Sequence, residues 1–229
     1  MTESRALQIA IDGPAGAGKS TVARKLADKL QFLYIDTGAM YRAATWLGIK
    51  HGISLDDGPA LAKLAAASDI LLKPADQTSD GKIRVFVDNQ EITREIRTSK
   101  MSELVAGVAA LKEVRQVLVD RQRELAKNIC CVIDGRDIGT VVMPQAGLKI
   151  FLTASPEERA KRRLKELAGQ GESADFDELL KAINERDYLD SHRAVSPLVI
   201  APGAIEVITD NMTIEEVVAE LERLAARAV

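Results

Sequence analysis

Residues 7–21 read LQIAIDGPAGAGKST, in which a short apolar run leads into a glycine-rich turn and then into a helical pattern. The segment from Gly13 to Ser20 has the spacing GxxxxGK(S/T), which is specific when a strand precedes it and a helix follows. Leu7 to Ile11 has the composition of a strand, and Thr21 to Leu30 that of an amphipathic helix. The sequence therefore predicts a phosphate-binding loop (P-loop) between a first strand and a first helix.

Each residue type in this loop suits the binding of a nucleoside triphosphate. The glycines let backbone amides turn toward phosphate groups, and the following helix N-terminus adds its dipole. Lys19 would reach the β- and γ-phosphates, and the Ser20 hydroxyl is a candidate Mg²⁺ ligand. The predicted nucleotide contacts are Gly13, Pro14, Ala15, Gly16, Ala17, Gly18, Lys19, Ser20 and Thr21. The alternative is a glycine-rich turn that binds nothing, and the spacing and both flanks argue against it.

Further short apolar runs are separated by helical patterns. They are Leu33 to Ile35, Ile129 to Ile133, Leu148 to Leu152 and Ile205 to Ile208. Runs that are apolar on both faces and alternate with helices indicate a parallel sheet covered on two sides. We therefore expect the α/β class, with a three-layer fold of the P-loop NTPase type and a five-stranded parallel sheet.

Two stretches interrupt this alternation. The segment between the second and third runs is too long for one crossover helix, and Ile83 to Val87 followed by a turn resembles part of a small antiparallel hairpin. After Leu152, the sequence Ser155-Pro156-Glu157-Glu158 predicts the start of a charged helical hairpin. We expect an inserted subdomain with a small antiparallel sheet over 37–104, a helical lid over 155–175, and a core over 1–36, 105–154 and 176–229.

The composition narrows the class of partner. The chain has 229 residues, 46% of them apolar, and its 31 Lys and Arg against 34 Asp and Glu give a net charge of -3. It lacks the basic excess of a general nucleic-acid or membrane-surface binder, so a small polyanion is favoured. Cys130 and Cys131 are interpreted as core residues. We expect a soluble cytoplasmic monomer without nucleic-acid or membrane partners.

Charged residues follow the second and third strands, where open parallel sheets place their ligands. Arg42 comes after the second strand, and Asp134 and Arg136 come directly after the third. Two arginines at one sheet edge beside a P-loop would clamp the phosphate of a second substrate. For Arg42 alone, a surface ion pair is the alternative.

Two helical faces carry further charges. Arg186, Asp190 and Arg193 fall at i, i+4 and i+7, which places them on one face. Arg159 and Arg162 share a face of the charged hairpin. An ordinary i to i+4 ion pair and a solvated helix face are the respective alternatives.

On these residues, the chain resembles the bacterial cytidylate kinases, which belong to the nucleoside monophosphate kinase group. The resemblance runs from the first strand to the last. Its motifs are Ile11 to Ser20, Asp36 to Arg42, Glu95-Ile96-Arg97-Thr98, Asp134 to Thr140, Glu185-Arg186-Asp187 and Arg193-Ala194. The resemblance implies transfer of the γ-phosphoryl group of ATP to CMP or dCMP with Mg²⁺, through a core, an acceptor-binding insertion and a lid.

The resemblance also implies a role for each matching position. Arg42 and Arg136 would hold the acceptor phosphate, Thr37, Arg115, Asp137 and Arg193 would surround the cytosine, and Arg186 and Asp190 would meet the ribose. Lys19, Arg136, Arg159 and Arg162 would be the catalytic cations, and Ser20 and Asp134 would hold Mg²⁺. Arg97 falls in a matching motif and is placed among the substrate-binding residues without an assigned contact.

Two other classes of function remain open at this stage. A different small-molecule P-loop kinase, for adenylate, dephospho-coenzyme A or a sugar, would share the loop but not the acceptor. A nucleotide-dependent switch would hydrolyse its nucleotide slowly and independently of CMP. A regulatory GTPase is disfavoured because the sequence has no Asn-Lys-x-Asp segment for reading guanine.

Overall fold

A five-stranded sheet organises the computed structural model, which describes residues 6–76, 81, 83–169 and 171–228. In chain order, the strands are β1 (Gln8–Asp12), β2 (Leu33–Asp36), β3 (Ile70–Lys73), β4 (Arg84–Val87), β5 (Gln90–Glu91), β6 (Cys131–Gly135), β7 (Leu148–Thr153) and β8 (Ile205–Ile208). The central sheet has the order β2-β6-β1-β7-β8. The predicted five-stranded parallel sheet is confirmed, and each strand lies within two residues of its apolar run.

Single helices and consecutive pairs of helices connect these strands. They are α1 (Lys19–Leu30), α2 (Thr37–Lys50), α3 (Gly58–Ala67), α4 (Ser99–Ala110), α5 (Lys112–Ala126), α6 (Pro156–Gly169), α7 (Phe176–His192) and α8 (Ile214–Ala225). A 3₁₀ turn spans Glu95–Arg97, and a π-helical turn spans Ile138–Val142. Among the residues that the structure describes, no helix combines the length and apolar composition needed to cross a membrane.

The chain divides into two compact units. The split unit joins the residues up to Tyr34 with those from Asn128 onward, and the continuous unit runs from Ile35 to Lys127. Residues 1–5, 170 and 229, which fall in the predicted core and lid, lie outside the described part of the chain, as do 77–80 and 82 of the predicted insertion.

The split unit is built around β1. Ile9 and Ile11 of β1 are fully buried, together with Leu26 of α1 and Leu221 of α8. β1 pairs in parallel with β6 on one side and β7 on the other, and Asp12 is opposite Gly135 and Phe151. This register brings the chain segments that follow β1 and β6 to the same edge of the sheet.

The continuous unit contains the predicted small antiparallel sheet, with the strand order β3-β4-β5. β4 and β5 are joined at Asp88 and Asn89, whose φ angles of 49° and 66° suit a tight hairpin turn. This unit extends to Lys127, whereas the predicted insertion ends at residue 104, because α5 packs against α3. The division into core, acceptor-binding insertion and lid remains a prediction about function.

The start of α6 follows its sequence signals in part. The Ser155 hydroxyl accepts a hydrogen bond from the Glu158 amide at 3.3 Å, as expected of an N-cap. In a capping box, the Glu158 side chain would also accept from the Ser155 amide, but here both groups have other partners. The Ser155 amide donates to the Asp210 carboxylate at 2.9 Å, and the Glu158 carboxylate accepts from Arg162.

The adjacent cysteines differ in their surroundings. Cys131 is fully buried in β6, and this burial raises the pKa of its thiol to about 12. Cys130 is partly exposed. Both are free cysteines, so the interpretation of a core residue fits Cys131 fully and Cys130 in part.

Gly13 lies where the chain after β1 passes close to the backbone of β7. A Cβ atom on Gly13 would clash with the Leu152 carbonyl oxygen, at 1.9 Å. The φ angle of Gly13 is +148°, which residues with a side chain rarely adopt. We expect Gly13→Ala to lower the free energy of unfolding by about 3 kcal/mol or more, because backbone must move. Urea unfolding would measure this loss.

Gly107→Ala is the matched control. A Cβ at Gly107 would meet nothing within 4 Å, and the residue lies inside α4. We expect this substitution to be neutral or to stabilise by about 0.5–1 kcal/mol, since alanine favours the helix. Equal effects of the two alanines would contradict the close packing at Gly13.

Candidate active site

The P-loop ends at the N-terminus of α1, which no side chain caps. Gly18 is the N-cap of α1 in the left-handed conformation, with φ of 85°, and has no side chain to cap the helix. Amides of this kind, together with the helix dipole, bind phosphate groups. The predicted order of strand, glycine-rich turn and helix is confirmed, and the nucleotide contacts of Gly13 to Thr21 stay a prediction.

Lys19 is buried at the first position of α1, with an exposed fraction of 5%. Its Nζ donates a hydrogen bond to the Pro14 carbonyl oxygen at 2.6 Å. Burial lowers the pKa of Lys19 well below its usual range, and the positive charge of Arg136 lowers it further. The buried Lys19 and the half-buried Arg136 thus repel each other, and anionic ligands would stabilise both positive charges.

Asp134, at the end of β6, holds two hydroxyl groups. The Ser20 hydroxyl donates to its Oδ2 at 2.9 Å, and the Tyr34 hydroxyl donates to its Oδ1 at 2.8 Å. Hydroxyl and carboxylate oxygens are the donors that Mg²⁺ prefers, so the residues fit the predicted ion. Within the described ranges, no group of three or more His, Cys, Asp or Glu could hold a metal by itself. Phosphate oxygens and waters would therefore complete the coordination.

Asp12 connects the P-loop to the turn after β6, a role that we did not predict. Its carboxylate accepts hydrogen bonds from the amides of Ile138 and Gly139, each at 2.7 Å. Burial raises the pKa of Asp12 to about 6, although these two amides act in the opposite direction. The available signal was a carboxylate directly after the three apolar residues Ile9 to Ile11, at the end of the strand.

Arg159 lies beside the P-loop, at the start of α6. It is 2% exposed, and its Cβ lies 3.4 Å from the position that a Cβ on Gly16 would occupy. Nε donates to the Ala154 carbonyl oxygen at 3.0 Å, and Nη1 donates to the Ala15 carbonyl oxygen at 3.1 Å. The predicted lid arginine is thus held against the loop.

Arg162 lies one turn further along the same helix. Its Nη1 is 4.0 Å from the corresponding Cβ position of Gly18. Nη1 also donates to the Thr209 hydroxyl at 3.1 Å, and Nη2 donates to the Thr209 carbonyl oxygen at 2.7 Å. Both predicted lid arginines therefore converge on P-loop glycines.

The acceptor-side residues of the split unit form a charged network. The Asp190 carboxylate accepts from Arg136 Nε at 3.0 Å and from Arg186 Nε at 3.3 Å. Burial acts to raise the pKa of Asp190, but Arg136 and Arg186 outweigh it and hold the pKa below its ordinary value. Arg193 and Asp137 are both buried, with 3.9 Å between Nη2 and Oδ1. Arg186 and Asp190 thus share a face of α7 as predicted, and Asp190 contacts the turn after β6. The prediction is wrong for Arg193, which is the C-cap of α7 with an extended backbone and not a helical residue.

The continuous unit holds the other predicted acceptor residues. Asp36 caps α2 by accepting from the Ala39 amide at 2.8 Å, and Thr37 is buried at the first helical position. Arg42 lies one turn further, with a buried Nε that has no hydrogen-bond partner among the described atoms. A buried guanidinium N–H next to a helix N-terminus fits an anionic group.

Arg115 is buried in α5 of the continuous unit, with an exposed fraction of 3%. Its Nη1 donates to the Ala109 carbonyl oxygen at 3.0 Å, and its guanidinium carbon lies 5.4 Å from the ring centre of Tyr41. This packing gives the side chain a defined position, although it does not test the predicted contact with the base.

Arg97 makes contacts within the continuous unit that the sequence did not indicate. Its Nη1 donates to the Thr93 carbonyl oxygen at 3.0 Å, and its Nη2 donates to the Ile83 carbonyl oxygen at 2.8 Å. These bonds tie the 3₁₀ turn to the chain entering β4. The substrate contact of Arg97 stays a prediction. In this structure the side chain stabilises the fold by binding two backbone carbonyl groups.

We expect Arg97→Ala to lower the free energy of unfolding by about 1–3 kcal/mol, because two carbonyl groups lose their donors. Arg94→Ala is the control, since Arg94 is exposed on the same turn and should change stability by about 0.5 kcal/mol or less. Denaturant unfolding distinguishes the two variants. Unchanged stability of Arg97→Ala together with weaker acceptor binding would assign Arg97 to the substrate instead.

The sequence of this chain is similar to those of known proteins over nearly its whole length. The family model described as cytidylate kinase matches residues 9–227. The cytidylate kinase of Desulforamulus reducens is 53% identical over 218 residues, covering 95% of each chain. The cytidylate kinase of Carboxydothermus hydrogenoformans is 49% identical, covering 96% of this chain and 98% of the relative.

A solved structure of an uncharacterized protein from Eubacterium ventriosum has a TM-score of 0.52 at 12% identity, covering 96% of this chain and 98% of that one. This likeness concerns the fold alone. The family match and the relatives cover nearly the whole chain, including the P-loop and the charged residues around it. The chain belongs to the cytidylate kinase family.

Proposed function

We propose that this protein transfers the γ-phosphoryl group of ATP to CMP or dCMP and releases ADP with CDP or dCDP. The observation that carries the proposal is the register of β1 and β6, in which Asp12 is opposite Gly135, so that the P-loop with Lys19 and the turn with Arg136 follow neighbouring strands at one edge of the sheet. A P-loop lysine serves the donor phosphates, and the half-buried Arg136 at the same edge provides for a second anion. The names and extent of the relatives support cytidine as the acceptor nucleoside.

The mechanism follows from charge. Two phosphorylated substrates repel each other, so transfer requires cations on both sides and exclusion of water. Lys19 and the P-loop amides bind the donor phosphates, while Arg136 binds the acceptor phosphate. Arg159 and Arg162 add positive charge at the P-loop glycines. No general base is required, because the acceptor phosphate oxygen is already anionic near neutral pH.

Mg²⁺ would be held by the Ser20 hydroxyl and, through water, by Asp134. When bound, it would neutralise charge on the donor phosphates. The existing bond from Ser20 to Asp134 keeps both oxygens in place. Tyr34, which donates to the same carboxylate, is a further positioning group at this site.

We assign recognition of the cytosine base to the buried side chains of Asp137 and Arg193. Cytosine presents an amino donor at N4 beside acceptors at N3 and O2. The Asp137 carboxylate suits the donor, and the Arg193 guanidinium suits the acceptors. Uracil would place an acceptor opposite Asp137, and an unpaired contact of this kind costs about 1–3 kcal/mol.

The remaining roles come from the family resemblance. In the split unit, Arg186 and Asp190 would contact the ribose. In the continuous unit, Thr37, Arg42, Arg97 and Arg115 would serve the acceptor, with Arg42 on its phosphate. The placement of this activity in cytoplasmic pyrimidine nucleotide metabolism, and a monomeric state, are parts of the same proposal.

A panel of acceptors tests the function. ADP release from ATP and Mg²⁺ would be measured with CMP, dCMP, UMP, AMP, dephospho-coenzyme A and a sugar. We expect the highest kcat/KM with CMP or dCMP, and no comparable ADP release without an acceptor. A preference for AMP or dephospho-coenzyme A would identify another kinase, and slow hydrolysis independent of every acceptor would indicate a nucleotide switch.

Asp137→Asn tests base selection. We expect the ratio of kcat/KM for CMP over UMP to fall about ten- to a hundredfold, because the amide no longer disfavours uracil. Binding of ATP should be unchanged. Asp28→Asn is the control, because Asp28 forms an exposed ion pair with Arg24 on α1. An unchanged CMP to UMP ratio in Asp137→Asn would remove this residue from base recognition.

A further inference from the structure

Asp187 of α7 makes the closest ion pair near the P-loop, yet none of the functional roles above includes it. Both of its carboxylate oxygens accept from Arg159, with 3.0 Å between Nη1 and Oδ1 and 2.5 Å between Nη2 and Oδ2. Paired hydrogen bonds of this kind fix the orientation of a guanidinium group as well as its place. The pair is thus a geometric restraint on Arg159.

The restraint reaches the P-loop through one nitrogen atom. Arg159 Nη1 donates both to Asp187 and to the Ala15 carbonyl oxygen. Ala15 and Gly16 lie in the middle of the loop, where the backbone must keep its amides pointing at the phosphates. Arg159 holds this stretch from its carbonyl side, so the orientation of Arg159 affects the orientation of the amides.

Burial makes the acidic partner necessary. The side chain of Arg159 is 3% exposed, and that of Asp187 is 28% exposed. A buried guanidinium without a counter-charge is strongly disfavoured and turns toward water when its partner is removed. Such a movement would break the bond to Ala15, because the same nitrogen makes both contacts.

α7 carries a second carboxylate with a similar task on the acceptor side. Asp190 lies three residues after Asp187 and accepts from Arg136. The two carboxylates are on one face of a single helix. Asp187 restrains Arg159, whereas Asp190 restrains Arg136 and Arg186. Removing either one should therefore affect a different substrate.

We propose that Asp187 is a positioning residue for the donor nucleotide, which orients Arg159 so that it holds Ala15 and Gly16 in the form that binds ATP. The predicted change in KM rests on the proposed function, whereas the predicted change in affinity for ATP does not. Asp187 touches no substrate in this scheme. It acts through Arg159 and through the backbone of the loop.

The variants are Asp187→Asn, which keeps the size and removes the charge, and Asp187→Glu, which keeps the charge. Glu166→Gln is the matched control, because Glu166 pairs with Arg163 of α6 on an exposed surface. The affinity for a non-hydrolysable ATP analogue with Mg²⁺ would be measured by titration calorimetry without any acceptor. KM for ATP, KM for CMP and the thermal unfolding midpoint would be measured in parallel.

We expect Asp187→Asn to weaken analogue binding and to raise KM for ATP about tenfold, while KM for CMP stays within about twofold. Asp187→Glu should recover most of the affinity, and Glu166→Gln should match the wild type. Asp190→Asn should give the opposite pattern, with KM for CMP raised and KM for ATP nearly unchanged.

Three results would overturn the proposal. The first is analogue affinity within twofold of the wild type in Asp187→Asn. The second is an equal rise of both KM values together with a lower unfolding midpoint. The third is failure of Asp187→Asn to fold. If the wild type phosphorylates no CMP while analogue binding still depends on Asp187, the proposed function is wrong and the positioning role stands.

Discussion

The buried carboxylate of Asp12 is the constraint on which the geometry of the split unit depends. β1 and β6 are neighbours in the sheet, and each is followed by a loop that carries charged or phosphate-binding groups. Asp12 belongs to the strand before the P-loop and accepts hydrogen bonds from the turn after β6. Hydrogen bonds to a charged group contribute about 1.5–3 kcal/mol each, which offsets part of the cost of burying the carboxylate. The two loops are therefore fixed to each other and not only to the sheet.

The cations around this edge are restrained by carboxylates. Arg159 is paired with Asp187, Arg136 with Asp190, and Arg193 lies beside Asp137. This pairing reconciles a net charge of -3 with a site for two polyanions, because the positive groups are concentrated locally and neutralised within the fold. Substrates then replace or extend contacts that already exist, which costs less reorganisation than ordering free side chains.

The sequence predicted those features that depend on local pattern. The parallel strands, the P-loop and the hairpin at Ile83 to Val87 were all indicated by apolar runs and turn residues. The C-terminal boundary of the continuous unit was not predicted, because the amphipathic pattern of α5 does not indicate which element this helix packs against. Arg97 and Asp187 belong to motifs of the sequence, but the Ile83 carbonyl group that Arg97 contacts is 14 residues away, and Arg159, the partner of Asp187, is 28 residues away. Such contacts are set by tertiary packing, which single-chain periodicity does not encode.

The spacing of Asp187 and Asp190 along α7 limits how this helix can change in length. An α-helix advances about 100° per residue, so one residue inserted between the two positions would turn Asp190 away from Arg136 while Asp187 kept its partner. Insertions or deletions before Asp187 or after Asp190 would leave the spacing of the two carboxylates intact. The number of residues from 187 to 190 is thus constrained. Segments exchanged between related enzymes can be joined before or after these four residues, but not inside them.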